Sequence, residues 1–107
     1  MKKYFLSLIF LSTALFVQAE DITSNCTFQG IPLYGRVKIV NTNQDFNVKL
    51  VDFASNLRVK RTAVPPITCG EWQFVDTKPD FTVKFVDFAW DFTIQYVDFL
   101  PGLQFAR

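Results

Sequence analysis

An interval of eleven residues repeats along most of this 107-residue chain and constrains its fold more than any other feature. The repeat is clearest in DFTVKFVDFAW, which begins at Asp80, and in DFTIQYVDFLP, which begins at Asp91. Related copies begin at Tyr34, Asp45 and Cys69. A unit that recurs at a fixed period buries its apolar face against neighbouring copies, so the sequence predicts a stacked repeat structure.

The copy that begins at Asn56 is irregular. It reads NLRVKRTAVPPIT and is two residues longer than its neighbours, which places an insertion between Arg61 and Thr68. Repeat scaffolds often carry function where the period is interrupted. We therefore take the segment from Arg58 to Thr68 as the candidate binding surface, with Arg58, Lys60 and Arg61 as its charged residues.

When each repeat is numbered from one to eleven, apolar residues fall at even positions and polar residues at odd positions. The stretch FTVKF from Phe81 to Phe85 shows the pattern, which is typical of a half-buried β-strand. The Val-Asp pair that follows, with prolines near some repeat ends, indicates a corner. The sequence predicts an all-β fold with about seven residues of strand and about four of corner in each repeat. Alternation does not distinguish an antiparallel meander from a wound solenoid.

The beginning of the chain is typical of a secretory signal, with Lys2 and Lys3 before an apolar run and small residues before Glu20. The sequence predicts a signal peptide at residues 1–19, one domain at residues 20–107, and a periplasmic or secreted location. No second apolar stretch of this kind follows, so we expect no stable membrane span after cleavage. Cleavage leaves nine basic and ten acidic residues, a balance that does not favour nucleic acid as a partner.

Both cysteines, Cys26 and Cys69, lie in the predicted exported domain. In an oxidising compartment we expect one disulfide between them, with free or functional thiols as the alternative. By the loop-entropy model, a bridge that closes about forty residues stabilises a fold by about 4 kcal/mol. Two cysteines in a chain without histidine make a poor metal site, and we expect no cofactor.

Three motifs resemble the septoil knot domain, a family of small bacterial exported proteins. They are CTFQGIPLYGRVKIV from Cys26, CGEWQFVD from Cys69 and the D-F-x-V-K-F-V-D repeats, and the resemblance extends to Leu103. It implies a compact all-β coil of short strands that is threaded as a seven-crossing torus knot. It implies no catalytic residues. The corners depart from the S-F-P-D pattern of the family, as in FAWD from Phe88.

Two series of aspartates recur at the repeat interval. Asp76, Asp87 and Asp98 follow the valine of their repeats, while Asp80 and Asp91 begin theirs. One interpretation is a calcium ladder built from carboxylate oxygens. The other is that each carboxylate accepts backbone N–H bonds at its corner. The corners lack the glycines of calcium-binding repeats, so we favour the second interpretation and predict no metal site.

Two further sets of side chains offer candidate surfaces. Lysines at position five indicate a solvated outer face, with a surface for anions or glycans as the alternative. Aromatic residues in the corners are expected to be more exposed than those of the strands and would mark a partner site if they formed a patch. The two sets are Lys38, Lys49, Lys60 and Lys84, and Phe53, Phe88, Trp90 and Phe99.

Composition and motifs argue against catalysis. The chain contains no histidine to move protons, and no G-x-S-x-G or phosphate-binding glycine loop occurs. We expect an exported, non-catalytic structural or binding module whose partner is a protein or glycan of the cell envelope. A small inhibitor or immunity-type partner of an envelope protein is the alternative, and a hydrolase that uses paired carboxylates is a third hypothesis.

Overall fold

The structure is a computed structural model that describes residues 21–103. The predicted signal peptide at residues 1–19 lies outside this range. The described residues contain strands β1 Thr27–Phe28, β2 Ile31–Pro32, β3 Gly35–Ile39, β4 Phe46–Leu50, β5 Leu57–Arg61, β6 Glu71–Phe74, β7 Phe81–Phe85, β8 Phe92–Tyr96 and β9 Gly102–Leu103. The prediction of an all-β fold is confirmed. Residues 21–103 contain no helix of the length and apolar character needed to cross a membrane.

Each repeat supplies one strand, from β3 to β8, and the strand ends at position six. These strands have four or five residues, so the prediction of about seven was too long. The valine at position seven still donates its backbone N–H to a neighbouring strand, as Val51 does to the carbonyl oxygen of Ile94 at 2.9 Å. That bond closes the ladder, and the chain turns immediately after it.

The strands β3 to β8 form a closed parallel sheet in the spatial order β6, β3, β7, β4, β8, β5 and back to β6. We call β3 to β5 the first winding and β6 to β8 the second winding. Every pairing within the ring joins a strand of one winding to a strand of the other. The chain therefore forms a wound coil with parallel strands rather than a meander, as the family resemblance implied.

The strands are staggered so that the side chain at position four lies at the centre of each strand and is buried. Val48, for example, lies opposite Phe85 of β7 and also opposite Phe92 of β8. The six central side chains have no solvent exposure, and they are Val37, Val48, Val59, Trp72, Val83 and Ile94. This layer forms the core, because a closed sheet directs one face of every strand inward.

A hairpin of β1 and β2 packs onto the layer of side chains at position two. Its turn residues, Gln29 and Gly30, have φ angles of 53° and 82°, as a type I′ turn requires. Phe28 is buried and stands edge-on to Phe46 and Phe92, with ring centroids 5.4 and 5.3 Å apart. Edge-to-face packing of this kind stabilises aromatic cores beyond the area that it buries.

The predicted disulfide between Cys26 and Cys69 is formed, with Cα atoms 5.9 Å apart and a sequence separation of 43. Two hydrogen bonds support the same connection. The carbonyl oxygen of Leu33 accepts from the indole Nε1 of Trp72 and from the backbone N–H of Gly70, both at 3.1 Å. The hairpin is thereby joined covalently and by hydrogen bonds to the start of the second winding.

Side chains at position one connect the two windings. Four of these side chains accept a hydrogen bond from the backbone N–H at position three of a strand in the other winding. The pairs are Asp80 with Arg36, Asp91 with Asn47, Asp45 with Thr82 and Asn56 with Thr93, at 2.7 to 2.9 Å. The prediction that carboxylates accept backbone N–H bonds is confirmed for this series, but the donors lie on a neighbouring strand rather than in the same corner.

Position ten of each regular corner lies in the left-handed region of the backbone. The residues are Asn43, Ala54, Lys78, Ala89 and Leu100, with φ between 53° and 58°. Asparagine tolerates this region, whereas residues such as alanine and leucine adopt it at a cost of about 1–2 kcal/mol. The corners are therefore strained at one fixed position, which the closed sheet enforces on every copy.

We expect Asp91→Ala to lower the free energy of unfolding by about 1–3 kcal/mol, because the N–H of Asn47 loses a charged acceptor. Asp91→Asn should retain most of the stability, because Asn56 accepts the equivalent bond in the native chain. Urea unfolding followed by tryptophan fluorescence measures both variants. Equal unfolding midpoints for Asp91→Ala and the parent chain would contradict a stabilising role for this ladder.

We expect Ala89→Gly to raise the free energy of unfolding by about 0.5–1 kcal/mol, because glycine relieves the left-handed strain and costs some chain entropy. Ala63→Gly is the matched control, since Ala63 is also exposed but does not have a positive φ. That control should be neutral or destabilising. Thermal unfolding of both variants is the measurement, and a lower melting temperature for Ala89→Gly would show that position ten is not strained.

Candidate functional site

The irregular repeat forms a nine-residue connection, residues 62–70, between β5 and β6. The regular connections between neighbouring repeats have six residues, as in 40–45 and 86–91. Regular connections also skip one position of the ring, whereas β5 and β6 pair directly. The connection with the most residues therefore joins two strands that are direct neighbours in the ring, so its residues extend outward from the sheet. We call residues 62–68 the insertion loop.

Side-chain hydrogen bonds hold the insertion loop. Thr62 Oγ1 accepts from the N–H of Val64 at 3.1 Å, and Gln73 Nε2 donates to the carbonyl oxygen of Ala63 at 3.1 Å. Glu71 Oε1 accepts from the N–H groups of Ile67 and Thr68 at 3.0 and 3.1 Å. Both ends of the loop are therefore bonded to side chains at or beside its base, which restricts its conformations.

Glu71 was not identified from the sequence, although one signal was available. Thr68 and Glu71 have the T-x-x-E spacing with which a glutamate bonds back to a backbone N–H at the start of a helix. Here the same spacing occurs in a turn that precedes β6, where the N–H of Glu71 also donates to the carbonyl oxygen of Thr68 at 3.0 Å. The local hydrogen-bonding pattern thus serves a loop rather than a helix.

The insertion loop exposes apolar side chains between these attachments. Val64 is 64% exposed and Ile67 is 75% exposed. Between them, Pro65 is exposed and Pro66 is half-buried. Exposed single aliphatic residues are ordinary on a protein surface, and here two of them lie within four residues of a restrained loop. The sequence indicated this surface by the interrupted repeat and by its basic residues, and it did not identify the aliphatic pair.

The three predicted basic residues are not all on one face. Arg58 and Lys60 lie at positions three and five, on the outer face of β5, where Lys60 is opposite Glu71 of β6. Arg61 lies at position six, and its guanidinium stacks on the ring of Tyr96, 4.1 Å from the centroid. Arg58 Nε is buried without a hydrogen-bond partner among the described residues. The structure thus brings Arg58 and Lys60 together and separates Arg61 from them.

Two ionisable groups near the insertion loop have shifted pKa values. Hydrogen bonds from the N–H groups of Ile67 and Thr68 lower the pKa of Glu71 from its ordinary value of 4.5, and the charge of Lys60 adds to this effect. Burial raises the pKa of Tyr96 above 10.0, and the charge of Arg61 opposes that shift. At neutral pH the loop is therefore held by an ionised carboxylate, and Arg61 stacks on a neutral phenol.

The position-five lysines and the corner aromatics take other parts of the surface. Lys49 and Lys84 lie on the adjacent strands β4 and β7, on the side of the ring opposite β5 and β6, whereas Lys38 on β3 is separated from Lys60 by β6. Lys49 and Lys84 therefore do not form one patch with the insertion loop. The corner phenylalanines have the expected exposure, with Phe53 74%, Phe88 83% and Phe99 80% exposed.

Within residues 21–103, no group of three or more cysteine, aspartate or glutamate side chains is placed to hold a metal ion. Asp76, Asp87 and Asp98 are exposed. A surface pocket of about 290 Å³ is lined by Ile31, Pro32, Tyr34 and Asp80, and another of about 160 Å³ by residues of β3, β6 and the following corner. Neither pocket is lined by a residue of the insertion loop.

Comparison with protein families gives a match to the 7(1) septoil knot domain over residues 30–104. The matched region contains the closed sheet, the insertion loop and Cys69, and it begins after Cys26. It agrees with the resemblance that the entry motif and the repeats indicated. Comparison with curated proteins gives no significant match.

We expect the amide proton resonances of Ile67 and Thr68 to titrate with Glu71, at a pKa below 4.5. Because the folded pKa is lowered, the carboxylate stabilises the loop above the unfolded pKa, and this contribution is lost as the pH falls through the folded pKa. The measurement is a proton–nitrogen NMR titration between neutral and acidic pH. Glu71→Gln should abolish the titration, and its persistence in that variant would assign it to another group.

Proposed function

The chain belongs to the 7(1) septoil knot domain family, and on that premise we propose that it is an exported, non-catalytic binding module. Its binding surface is the segment from Arg58 to Thr68, and its partner is a protein or glycan of the cell envelope. The absence of histidine from the sequence supports a role without catalysis, because histidine is the usual proton carrier at neutral pH.

One observation carries the proposal. The connection that interrupts the repeat is exposed, yet its backbone is hydrogen-bonded to the side chains of Thr62, Gln73 and Glu71, which hold it at both ends. Binding residues are often placed on loops that a rigid scaffold positions. A loop that is already ordered loses less conformational entropy on association, so more of its contact energy remains as affinity.

Export is supported by two features of the chain. The first nineteen residues have the charged, apolar and small-residue sections of a secretory signal. Cys26 and Cys69 form a disulfide, and such bonds persist in oxidising compartments such as the periplasm or the extracellular space. Together they favour a periplasmic or secreted location for residues 20–107.

A small inhibitor or immunity-type partner of an envelope protein is the second candidate. It is favoured by the outward displacement and apolar character of the insertion loop, which would enter a cleft on another protein. The two candidates differ in what they bind. An inhibitor or immunity-type protein forms a tight complex with one protein, whereas a general binding module is also consistent with retention on a glycan or on the cell wall.

We expect oxidised residues 20–107, immobilised and exposed to native envelope extract, to retain a specific component through the insertion segment. Arg58→Ala/Lys60→Ala should reduce that retention, because both side chains lie on the outer face of β5 beside the loop. Lys49→Ala/Lys84→Ala is the matched control, since it removes two lysines at position five of β4 and β7, on the side of the ring opposite β5 and β6. Retained material is identified by mass spectrometry and by carbohydrate analysis.

The control pair should leave retention unchanged. Equal loss in both double variants would indicate a diffuse electrostatic interaction around the ring rather than a site at the insertion. Retention of one protein in a one-to-one complex would favour the inhibitor or immunity-type candidate. Undiminished retention in Arg58→Ala/Lys60→Ala and in variants of the insertion loop would overturn the proposed surface.

A further inference from the structure

The backbone of the insertion loop between Val64 and Ile67 is restricted by two prolines. Each proline ring fixes φ near −65°, and a residue that precedes proline is excluded from the helical region. Val64 precedes Pro65, and Pro65 precedes Pro66, so both Val64 and Pro65 favour extended or polyproline II conformations. Residues 65–67 form neither a turn nor a strand in the structure, which agrees with that restriction.

The exposed aliphatic side chains have the spacing of a polyproline II ligand. That helix has three residues per turn, so residues i and i+3 project from the same side. Val64 and Ile67 have this separation, and they are 64% and 75% exposed. In the polyproline II conformation the loop presents these two aliphatic side chains in one direction, with Pro65 and Pro66 between them.

The loop has free backbone carbonyl oxygens, but its backbone N–H groups between Val64 and Thr68 are occupied or absent. Intramolecular bonds occupy the N–H groups of Val64, Ile67 and Thr68, and Pro65 and Pro66 have no N–H. Among the described residues, nothing donates to the carbonyl oxygens of Pro65, Pro66 or Ile67. The loop can thus accept hydrogen bonds from a partner but offers it no backbone donor between Val64 and Thr68.

The presence of free acceptors without free backbone donors favours one mode of recognition. Addition of the loop as a strand to a partner's sheet needs alternating donors and acceptors, and the donors are already used. A groove lined by tryptophan and tyrosine needs only acceptors, because indole N–H and phenol O–H groups donate while the rings pack against proline.

We propose, on the basis of the proposed function, that residues 64–67 are a preformed polyproline II ligand for an aromatic-lined groove on a partner protein. The groove contacts Pro65 and Pro66 with its rings, donates to their carbonyl oxygens, and takes Val64 and Ile67 into two apolar depressions. Glu71 and Thr62 hold the loop in this conformation before it binds. A glycan would leave both aliphatic side chains without an apolar partner.

The test uses the protein retained from native envelope extract, purified, together with a capped synthetic peptide that has the sequence of residues 63–68. The peptide contains no aromatic residue, so any change in tryptophan fluorescence belongs to the retained protein. We expect a saturable fluorescence change and competition by the peptide with the immobilised domain. A peptide with alanine at the positions of Pro65 and Pro66 should bind about tenfold more weakly, since the preformed conformation is lost.

Variants of the whole domain provide the second measurement. Val64→Ser/Ile67→Ser should weaken binding of the same protein by about tenfold or more, because two aliphatic contacts are lost. Phe53→Ser/Phe88→Ser is the matched control, since it removes two equally exposed apolar side chains from the corners and should leave binding unchanged. The circular dichroism of each variant establishes that the fold is retained.

Two results would overturn the inference while leaving the proposed function intact. One is loss of binding in Arg58→Ala/Lys60→Ala with none in Val64→Ser/Ile67→Ser. The other is a retained protein whose tryptophan fluorescence does not respond to the peptide. Retention that is unaffected by any variant between Arg58 and Thr68 would overturn both.

Discussion

The structure depends on one constraint: each winding can form its hydrogen-bonded ladder only with the other winding. Strands β3 to β5 do not pair among themselves, and neither do β6 to β8. Phe46 pairs with Val83, and Val48 pairs with Phe92, 37 and 44 residues later in the chain. The core therefore cannot form from either half alone, and pairing over such separations makes folding slow compared with folds built from local contacts.

Both the polar and the covalent connections strengthen this interlocking. The position-one side chains, such as Asp80 and Asp91, accept N–H bonds from strands of the other winding. The disulfide joins Cys26, before the first winding, to Cys69, at the start of the second. These connections join fixed positions of the two windings and so hold them in a single register. Register matters because a slip of one residue would turn every buried side chain outward.

The same constraint explains where a longer loop can be accommodated. Regular connections have six residues and carry a residue with left-handed backbone conformation at position ten, which leaves little freedom for variation in their length or conformation. The connection from β5 to β6 joins neighbouring strands and is three residues longer, so residues 62–68 can extend from the ring while Cys69 and Gly70 stay fixed by the disulfide and by hydrogen bonds. A rigid closed scaffold with one outward connection is suited to presenting a short ordered segment to a partner.

The sequence by itself determined the all-β class, the burial of positions two and four, the disulfide and the place of the insertion. The alternation also assigned position six to the buried face, which is wrong, since Ile39 and Leu50 at that position are 50% and 48% exposed. It also predicted Arg58, Lys60 and Arg61 as a binding surface, but it did not indicate that Arg61 stacks on Tyr96 or that Glu71 anchors the loop. Those contacts join residues whose relation depends on which strands are neighbours. The repeats are so alike that any copy would fit beside any other, and local pattern therefore cannot assign pairing order or strand direction. Only closure of the ring, with the second winding between the strands of the first, decided them.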